Sequence, residues 1–317
     1  MKRVLLTGGT GFVGANLARR LLAQGHEVHL LVRPDSRQWR IEEIRRDARI
    51  HEGDIGQRET LEKTVRSIAP EWIFHLAAYG SYSSQTDLPA MVQTNFVGTI
   101  HLVEACAKTG FDAFVHAGSS SEYGFKDHAP GEQEWLEPNS HYAVTKASAT
   151  LFCRYTAQKQ SLPITTMRLY SVYGPYEEPT RLMPTLIRAG LAGTLPPLVD
   201  PDIARDYVYA EDVSEAFLQA ARQPSRGGLG AVYNVGTGVQ TSIREVVDVA
   251  RRVLAIPAEP RWGSMPDRQW DTRVWVADNR AIERELDWKP RFSFEEGFRS
   301  MVDWIRKNPA LAGDPSA

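Results

Sequence analysis

Tyr142 and Lys146 stand four residues apart in the run Ser140-His141-Tyr142-Ala143-Val144-Thr145-Lys146. In a helix that spacing puts both side chains on one face. An isolated tyrosine titrates near ~10. A lysine cation beside it favours the phenolate, so such a pair can move a proton nearer neutral pH. Ser140 precedes the pair and is a suitable helix N-cap. Upstream, an apolar run ends in Gly118-Ser119-Ser120-Ser121-Glu122-Tyr123-Gly124. A serine at the carboxyl end of a strand can hydrogen-bond the same oxygen that a tyrosine protonates, because ligands of open α/β sheets sit at those ends. Tyrosine–lysine pairs also occur on solvated helix faces, so the weight of this one comes from its position after Ser119.

A second constellation opens the chain. The apolar run Val4-Leu5-Leu6-Thr7 passes directly into Gly8-Gly9-Thr10-Gly11-Phe12-Val13-Gly14, and helical spacing follows from Ala15 to Leu22. A strand that feeds a helix through glycines at three-residue intervals is suited to a dinucleotide. Gly8 permits the tight turn, Gly11 lets backbone approach a pyrophosphate, and Gly14 lets helix and strand pack closely. The N–H groups of the helix N-terminus then face the anion.

These residues need a scaffold, and the rest of the sequence supplies one. Strands are expected at 4–7, 28–32, 50–54, 72–78, 113–117 and 164–169, with a returning strand at 233–236. Helical patterns fill the gaps, notably 91–108 and 141–158. This alternation implies an α/β fold, a doubly wound parallel sheet of Rossmann type. Residues 1–170 form the dinucleotide-binding domain, with a returning segment near 205–238. Residues 171–312, irregular and richer in Pro and Trp, form a smaller interleaved α/β substrate domain. A length of 317 residues, 42% hydrophobic and 24% charged, suits such a globular pair. The net charge of −2 argues against a nucleic-acid partner. No apolar run approaches the ~20 residues that span a membrane, and a strand starting at Val4 leaves no room for a signal peptide. Cys106 and Cys153 lack metal spacing and read as buried free thiols of a cytoplasmic protein. No metal site is expected.

Together, the glycine loop, Ser119, Tyr142 and Lys146 resemble the short-chain dehydrogenase/reductase superfamily. Further motifs resemble its extended branch of nucleotide-sugar epimerases, dehydratases and 4-ketoreductases, in the same order along residues 1–305. They are His75-Leu76-Ala77-Ala78, Thr94-Asn95-Phe96-Val97-Gly98-Thr99, Arg168-Leu169-Tyr170-Ser171-Val172-Tyr173-Gly174-Pro175, Arg205-Asp206-Tyr207-Val208-Tyr209, Tyr233-Asn234-Val235-Gly236-Thr237-Gly238 and Leu286-Asp287-Trp288-Lys289-Pro290. The resemblance implies that Ser119 and Tyr142 hold and protonate a sugar oxygen, usually at C4. Lys146 would bind the nicotinamide ribose and depress the Tyr142 pKa. The cofactor would also touch Gly8, Gly11, Phe12, Val13, Arg33, Asp54, Ile55, Leu76, Ala77 and Ala78. A nucleotide-diphosphate sugar would meet Tyr79, Ser120, Ser121, Ser171, Arg181, Arg205 and Arg268. The two last guanidinium groups suit the diphosphate. Tyr79, Tyr82, Tyr173 and Tyr176 would crowd the sugar pocket, with His141 facing away. Relatives also pair the helices at 91–108 and 141–158 into a homodimer, here through Ala105, Ala143, Ala147 and Leu151.

The chain departs from the family pattern in three places. Dehydratases carry an acid after the Ser or Thr; here Ser120 and Ser121 occupy those positions, and serine is a poor general base. Glu122 could serve only in a shifted register, so a dehydratase is not expected. At the end of the second strand, NAD-dependent members hold an Asp or Glu, whereas this chain has Val32-Arg33-Pro34-Asp35-Ser36-Arg37. Arg33 suits the 2′-phosphate of NADP; NAD, with Asp35 on the ribose, is the second choice. Ser171 replaces a common asparagine. The expected enzyme is a 4-ketoreductase acting on a nucleotide-linked hexose, with a 4-epimerase as alternative. A dinucleotide sensor without catalysis is the remaining class.

Overall fold

In the computed structural model, which describes residues 1–82, 84–265 and 272–312, buried strands and amphipathic helices alternate. The order begins β1 (Arg3–Thr7), α1 (Phe12–Ala23), β2 (Glu27–Val32), β3 (Arg49–Glu52), α2 (Arg58–Ile68), β4 (Trp72–His75). A helical stretch follows in three parts: α3 (Leu88–Met91), a π-helical turn over Val92–Val97, and α4 (Gly98–Thr109). Then come β5 (Ala113–Ser119), α5 (His141–Gln160) and β6 (Ile164–Leu169). Beyond β6 the chain makes β7 (Ser171–Tyr173), α6 (Leu182–Leu191), β8 (Ala204–Arg205) and β9 (Tyr207–Tyr209). It returns through α7 (Ala210–Arg222) and β10 (Val232–Val235), then leaves through β11 (Thr241–Ser242), α8 (Ile243–Leu254), α9 (Arg280–Leu286) and α10 (Phe294–Lys307).

Seven strands form one parallel sheet in the order β10-β6-β5-β4-β1-β2-β3. The order reverses between β1 and β4, and that reversal leaves a crevice at their carboxyl ends. One face of the sheet is covered by a core that includes Leu6, Phe74, Phe217, Ile282 and Leu286. The other face packs Ile73, Phe114, Leu102 and the two cysteines, which are buried and free. A separate core of Tyr173, Leu186, Val247, Phe298 and Ile305 holds α6, α8 and α10 around the pair β7–β9.

Three differences from the periodicity have physical causes. The third strand stops at Glu52, because the Asp54 carboxylate turns to accept from the Gly56 amide at 2.7 Å. The fourth stops at His75, because Leu76 and Ala77 swing against Gly8; a Cβ there would lie 2.5 Å from the Leu76 carbonyl carbon. The helix expected at 91–108 widens into a π turn around Asn95, which is fully buried and clasps the Tyr79 N–H and C=O at 2.8 Å each. That clasp sets the loop after β4.

Candidate active site

The glycine loop is shaped by close approach. Gly8 adopts φ +74°, a conformation costly for side chains, and a Cβ on Gly14 would sit 2.2 Å from the Gly8 oxygen. Gly11 is the N-cap of α1 and no side chain caps the helix, so its first-turn amides remain available to an anion. Phe12 and Val13 are half-buried in that turn, Leu76 and Ala77 are half-buried alongside, and Ala78 is exposed. This cradle fits the pyrophosphate of a dinucleotide. Ile55 is buried under Gly98, where a Cβ would meet its side chain at 2.6 Å; its side chain packs rather than faces the crevice. At the end of β2, Arg33 is 46% exposed and lies 3.6 Å from the Asp35 carboxylate. Ser36 closes the turn on the Arg33 carbonyl at 2.7 Å.

Two strands from β1, β5 continues to Ser119, which caps the short helix Ser120–Tyr123. Its Oγ accepts from the Ser121 amide at 3.2 Å, while the Ser119 amide donates to Glu122 Oε1 at 2.8 Å. Across the crevice Ser140 caps α5 through the Ala143 amide at 3.2 Å and sets Tyr142 in the first turn. The Ser119 hydroxyl acts on the Tyr142 phenol and favours its ionised form. Burial nevertheless pushes that phenol up to about 12, outweighing the serine. Lys146 is only 2% exposed, and burial pushes its ammonium down to about 8 against the opposing pull of Glu122. The expected depression of the Tyr142 pKa by Lys146 is therefore reversed in this chain by itself: desolvation wins.

Glu122 belongs to a different system. It is fully buried. Its Oε2 accepts from Arg168 Nε at 2.8 Å, and its Oε1 accepts from Thr150 Oγ1 at 3.0 Å and from the Ser119 amide. Arg168 also donates to the Tyr123 hydroxyl, which donates to Asn234 Oδ1, both at 2.8 Å. With both carboxylate oxygens engaged by Arg168 and its neighbours, the shifted register does not make Glu122 a free base.

The wall facing Ser119 comes from far along the chain. Trp275 Nε1 donates to Ser120 Oγ at 3.1 Å, and Arg205 lies over the Trp275 ring, 5.4 Å from its centroid. Arg205 also donates to the Ala204 and Thr272 carbonyls at 2.8 and 3.3 Å. Ser121 and Ser171 are half-buried. Arg181, exposed, lies 5.2 Å from the Tyr82 ring centre and donates to the Ser81 carbonyl at 3.2 Å. Arg268 lies outside the described residues. Trp275 carried no local signal in the sequence, since its partner is 155 residues away.

Some expectations fail. Tyr173 is buried in the second core, its hydroxyl bonded to the Phe294 carbonyl at 3.0 Å. Tyr176 is buried between Arg19 and Trp304 and donates to Glu43 at 2.6 Å. Both pack rather than crowd a sugar pocket, as aromatic payload in an apolar core does. Ala105, Ala143 and Ala147 are buried inside the chain and cannot meet a partner. The apolar side chains that α5 does expose are Val144, Leu151 and Tyr155. His141 is exposed, as expected. Among the described residues no cluster of His, Cys, Asp or Glu could hold a metal, and no helix is long and apolar enough to cross a membrane.

Comparison with known proteins places this arrangement. The model of the family described as NAD dependent epimerase/dehydratase matches residues 4–236. A UDP-glucose 4-epimerase of Mycolicibacterium smegmatis is 32% identical, over 96% of this chain and 98% of that protein. A trifunctional UDP-glucose 4,6-dehydratase/UDP-4-keto-6-deoxy-D-glucose 3,5-epimerase/UDP-4-keto-L-rhamnose-reductase of Arabidopsis thaliana is 27% identical over 99% of this chain. The chain spans about half the length of that protein, 48%. The solved structure of MoeE5 in complex with UDP-glucose and NAD superimposes with a TM-score of 0.83 at 30% identity, covering 96% of this chain and 99% of that one.

Proposed function

Because the chain belongs to the NAD dependent epimerase/dehydratase family, we propose that it transfers hydride at C4 of a nucleotide-linked hexose, as a 4-ketoreductase using NADPH. In this reading the glycine loop and the open N-terminus of α1 hold the cofactor pyrophosphate, and Arg33 pairs with the 2′-phosphate. Lys146 binds the nicotinamide ribose. Asp54 and the Leu76–Ala78 segment after β4 flank the adenine and nicotinamide halves. Arg205 and Arg268 receive the substrate diphosphate, and Tyr79, Ser120, Ser121, Ser171 and Arg181 meet the rest of the substrate. When bound, the reduced nicotinamide supplies the hydride; Ser119 orients the C4 oxygen, and Tyr142 protonates it.

One observation carries the choice of direction. Arg33, 46% exposed, stands at the end of β2 where NAD-dependent members hold an acid, and a replaceable NADPH is what a carbonyl reduction consumes. An epimerase or dehydratase must first take a proton from the C4 hydroxyl. A dehydratase must further remove a proton at C5, and Glu122 is engaged by Arg168.

The second reading is a redox-neutral 4-epimerase. It is favoured by the 4-epimerase relative and by the NAD bound in the similar structure. Titration of both cofactors separates the two. A charge-assisted hydrogen bond contributes about 1.5–3 kcal/mol, so NADPH should bind roughly 10- to 150-fold more tightly than NADH. Arg33→Asp should reverse the preference. NAD carried through purification, or preference for NADH, would move the assignment to the epimerase.

A homodimer belongs to the same proposal, through the Val144, Leu151 and Tyr155 face of α5. A monomeric mass at micromolar concentration would remove it.

A further inference from the structure

A hydrogen-bond path runs beneath the crevice from the end of β1 to the backbone of Tyr142. Thr7 Oγ1 lies 2.7 Å from His75 Nδ1, and His75 Nε2 lies 2.9 Å from Thr99 Oγ1. The Thr99 hydroxyl donates to the Asn95 carbonyl at 2.6 Å. Asn95 Nδ2 donates to Thr145 Oγ1 at 2.9 Å, and the Thr145 hydroxyl donates to the Tyr142 carbonyl at 2.8 Å. Thr7, His75, Thr99, Asn95 and Thr145 are all at most 4% exposed. Water therefore does not substitute for a lost bond.

The path fixes every proton in it. Thr99 gives its proton to a carbonyl, which can only accept, so His75 Nε2 must carry the hydrogen that Thr99 Oγ1 receives. His75 Nδ1 is then an acceptor, and Thr7 is its donor. The Thr7 oxygen in turn faces the Ala77 amide at 3.3 Å. A charged imidazole would set a second N–H against Thr7 and strand the threonine proton, and burial independently pushes His75 down to about 3. The groups that face the ring are the threonines, the Phe114 ring at 6.1 Å and the neutral His116 ring at 5.3 Å. Lys146 is the cation in electrostatic range.

We infer that His75 is a positioning residue: as the neutral Nε2–H tautomer it joins the strand that carries the glycine loop to the helix that carries Tyr142. The inference rests on the reading of Tyr142 as the acid of the reaction. The geometry required is strict, because hydride donor and proton donor must converge on one carbonyl from two separate elements, and misplacement by about 1 Å costs up to about 10²-fold in rate. An apolar residue at position 75 would fill the space but leave Thr7 and Thr99 uncoupled.

The test compares His75→Leu with His75→Gln, whose amide oxygen and nitrogen are spaced like the two ring nitrogens. The probe is UDP-4-keto-6-deoxyglucose with NADPH. His75→Leu should lower kcat about 10- to 100-fold, with KM and the NADPH Kd within about threefold, and His75→Gln should recover most of the loss. A His75→Leu enzyme with wild-type kcat and only a lower melting temperature would overturn the inference. If His75→Leu does not fold, Thr99→Val, which cuts the same path, should show the same kcat-only loss, and wild-type kcat there overturns it. Nitrogen-15 spectra of the wild-type histidines provide a readout without turnover. His75 should stay in the neutral Nε2–H form between about pH 5 and 9; a charged ring or the Nδ1–H tautomer contradicts the inference. A wild-type enzyme silent toward the probe would count against the proposed function and leave the tautomer measurement to decide on His75.

Discussion

Two buried polar clusters flank Ser119, and burial has opposite consequences in them. In the first, Glu122, Arg168, Tyr123, Thr150 and Asn234 satisfy one another at 2.8 to 3.0 Å. Each charge there has its partner, Arg168 Nε lying 2.8 Å from Glu122 Oε2. In the second, Tyr142 feels a serine and Lys146 the pull of Glu122 and Cys153, and desolvation outweighs these and drives both toward their neutral forms. The first cluster locks the end of β5 to β6 and β10. The second stores the capacity to give up or take a proton. Burial thus makes structure where partners are complete and chemistry where they are not.

The largest expected effect sharpens this contrast in turnover. Tyr142→Phe removes the proton donor and should cost about 10²–10⁴-fold in kcat, with cofactor affinity and melting temperature nearly unchanged. Retention of more than half the activity would place the proton transfer elsewhere. The mirror experiment falls on the first cluster. Arg168→Met leaves the Glu122 carboxylate buried and unpaired, and should destabilise the fold by about 3–5 kcal/mol in urea unfolding. Replacing both partners by apolar residues should recover much of that loss. If the single variant is as stable as the parent, the pair does not hold the wall.

A smaller effect tests whether Lys146 is kept at a cost. Its folded pKa, about 8, lies below its ordinary value of 10.5. At this site the unfolded chain therefore binds more protons between those values, so the Lys146 contribution to stability rises with pH across that window. The penalty is fully present below about pH 8. Lys146→Met should stabilise the protein by about 1–3 kcal/mol at neutral pH, and its advantage over the wild type should shrink as pH rises through the window, while activity is lost. A destabilised Lys146→Met protein would mean that the ammonium has a partner worth more than its burial.

The difference between the clusters also explains what was legible beforehand. The Tyr142–Lys146 pair and the glycine loop are short-range patterns, in which spacing alone fixes geometry, and the seven strands follow from apolar runs. The Glu122–Arg168 pair spans 46 residues, so Glu122 read as a possible displaced base until its partner was placed. Tyr173 and Tyr176 share a segment with Ser171, but Tyr173 turns into the second core and Tyr176 packs between Arg19 and Trp304, because tertiary packing decides where an aromatic ring points. The π turn at Asn95 was read as ordinary helix, since the clasp on Tyr79 that widens it comes from another element.

The most direct test of net reduction at C4 uses NADPH carrying deuterium at the transferable position, with UDP-4-keto-6-deoxyglucose and the wild-type protein. The product is examined by proton NMR. The account predicts deuterium at C4 of the sugar, one for each NADPH consumed, appearing about 10²–10⁴-fold more slowly with Tyr142→Phe. Interconversion of UDP-glucose and UDP-galactose with no net consumption of cofactor, or deuterium at any other carbon, would contradict it.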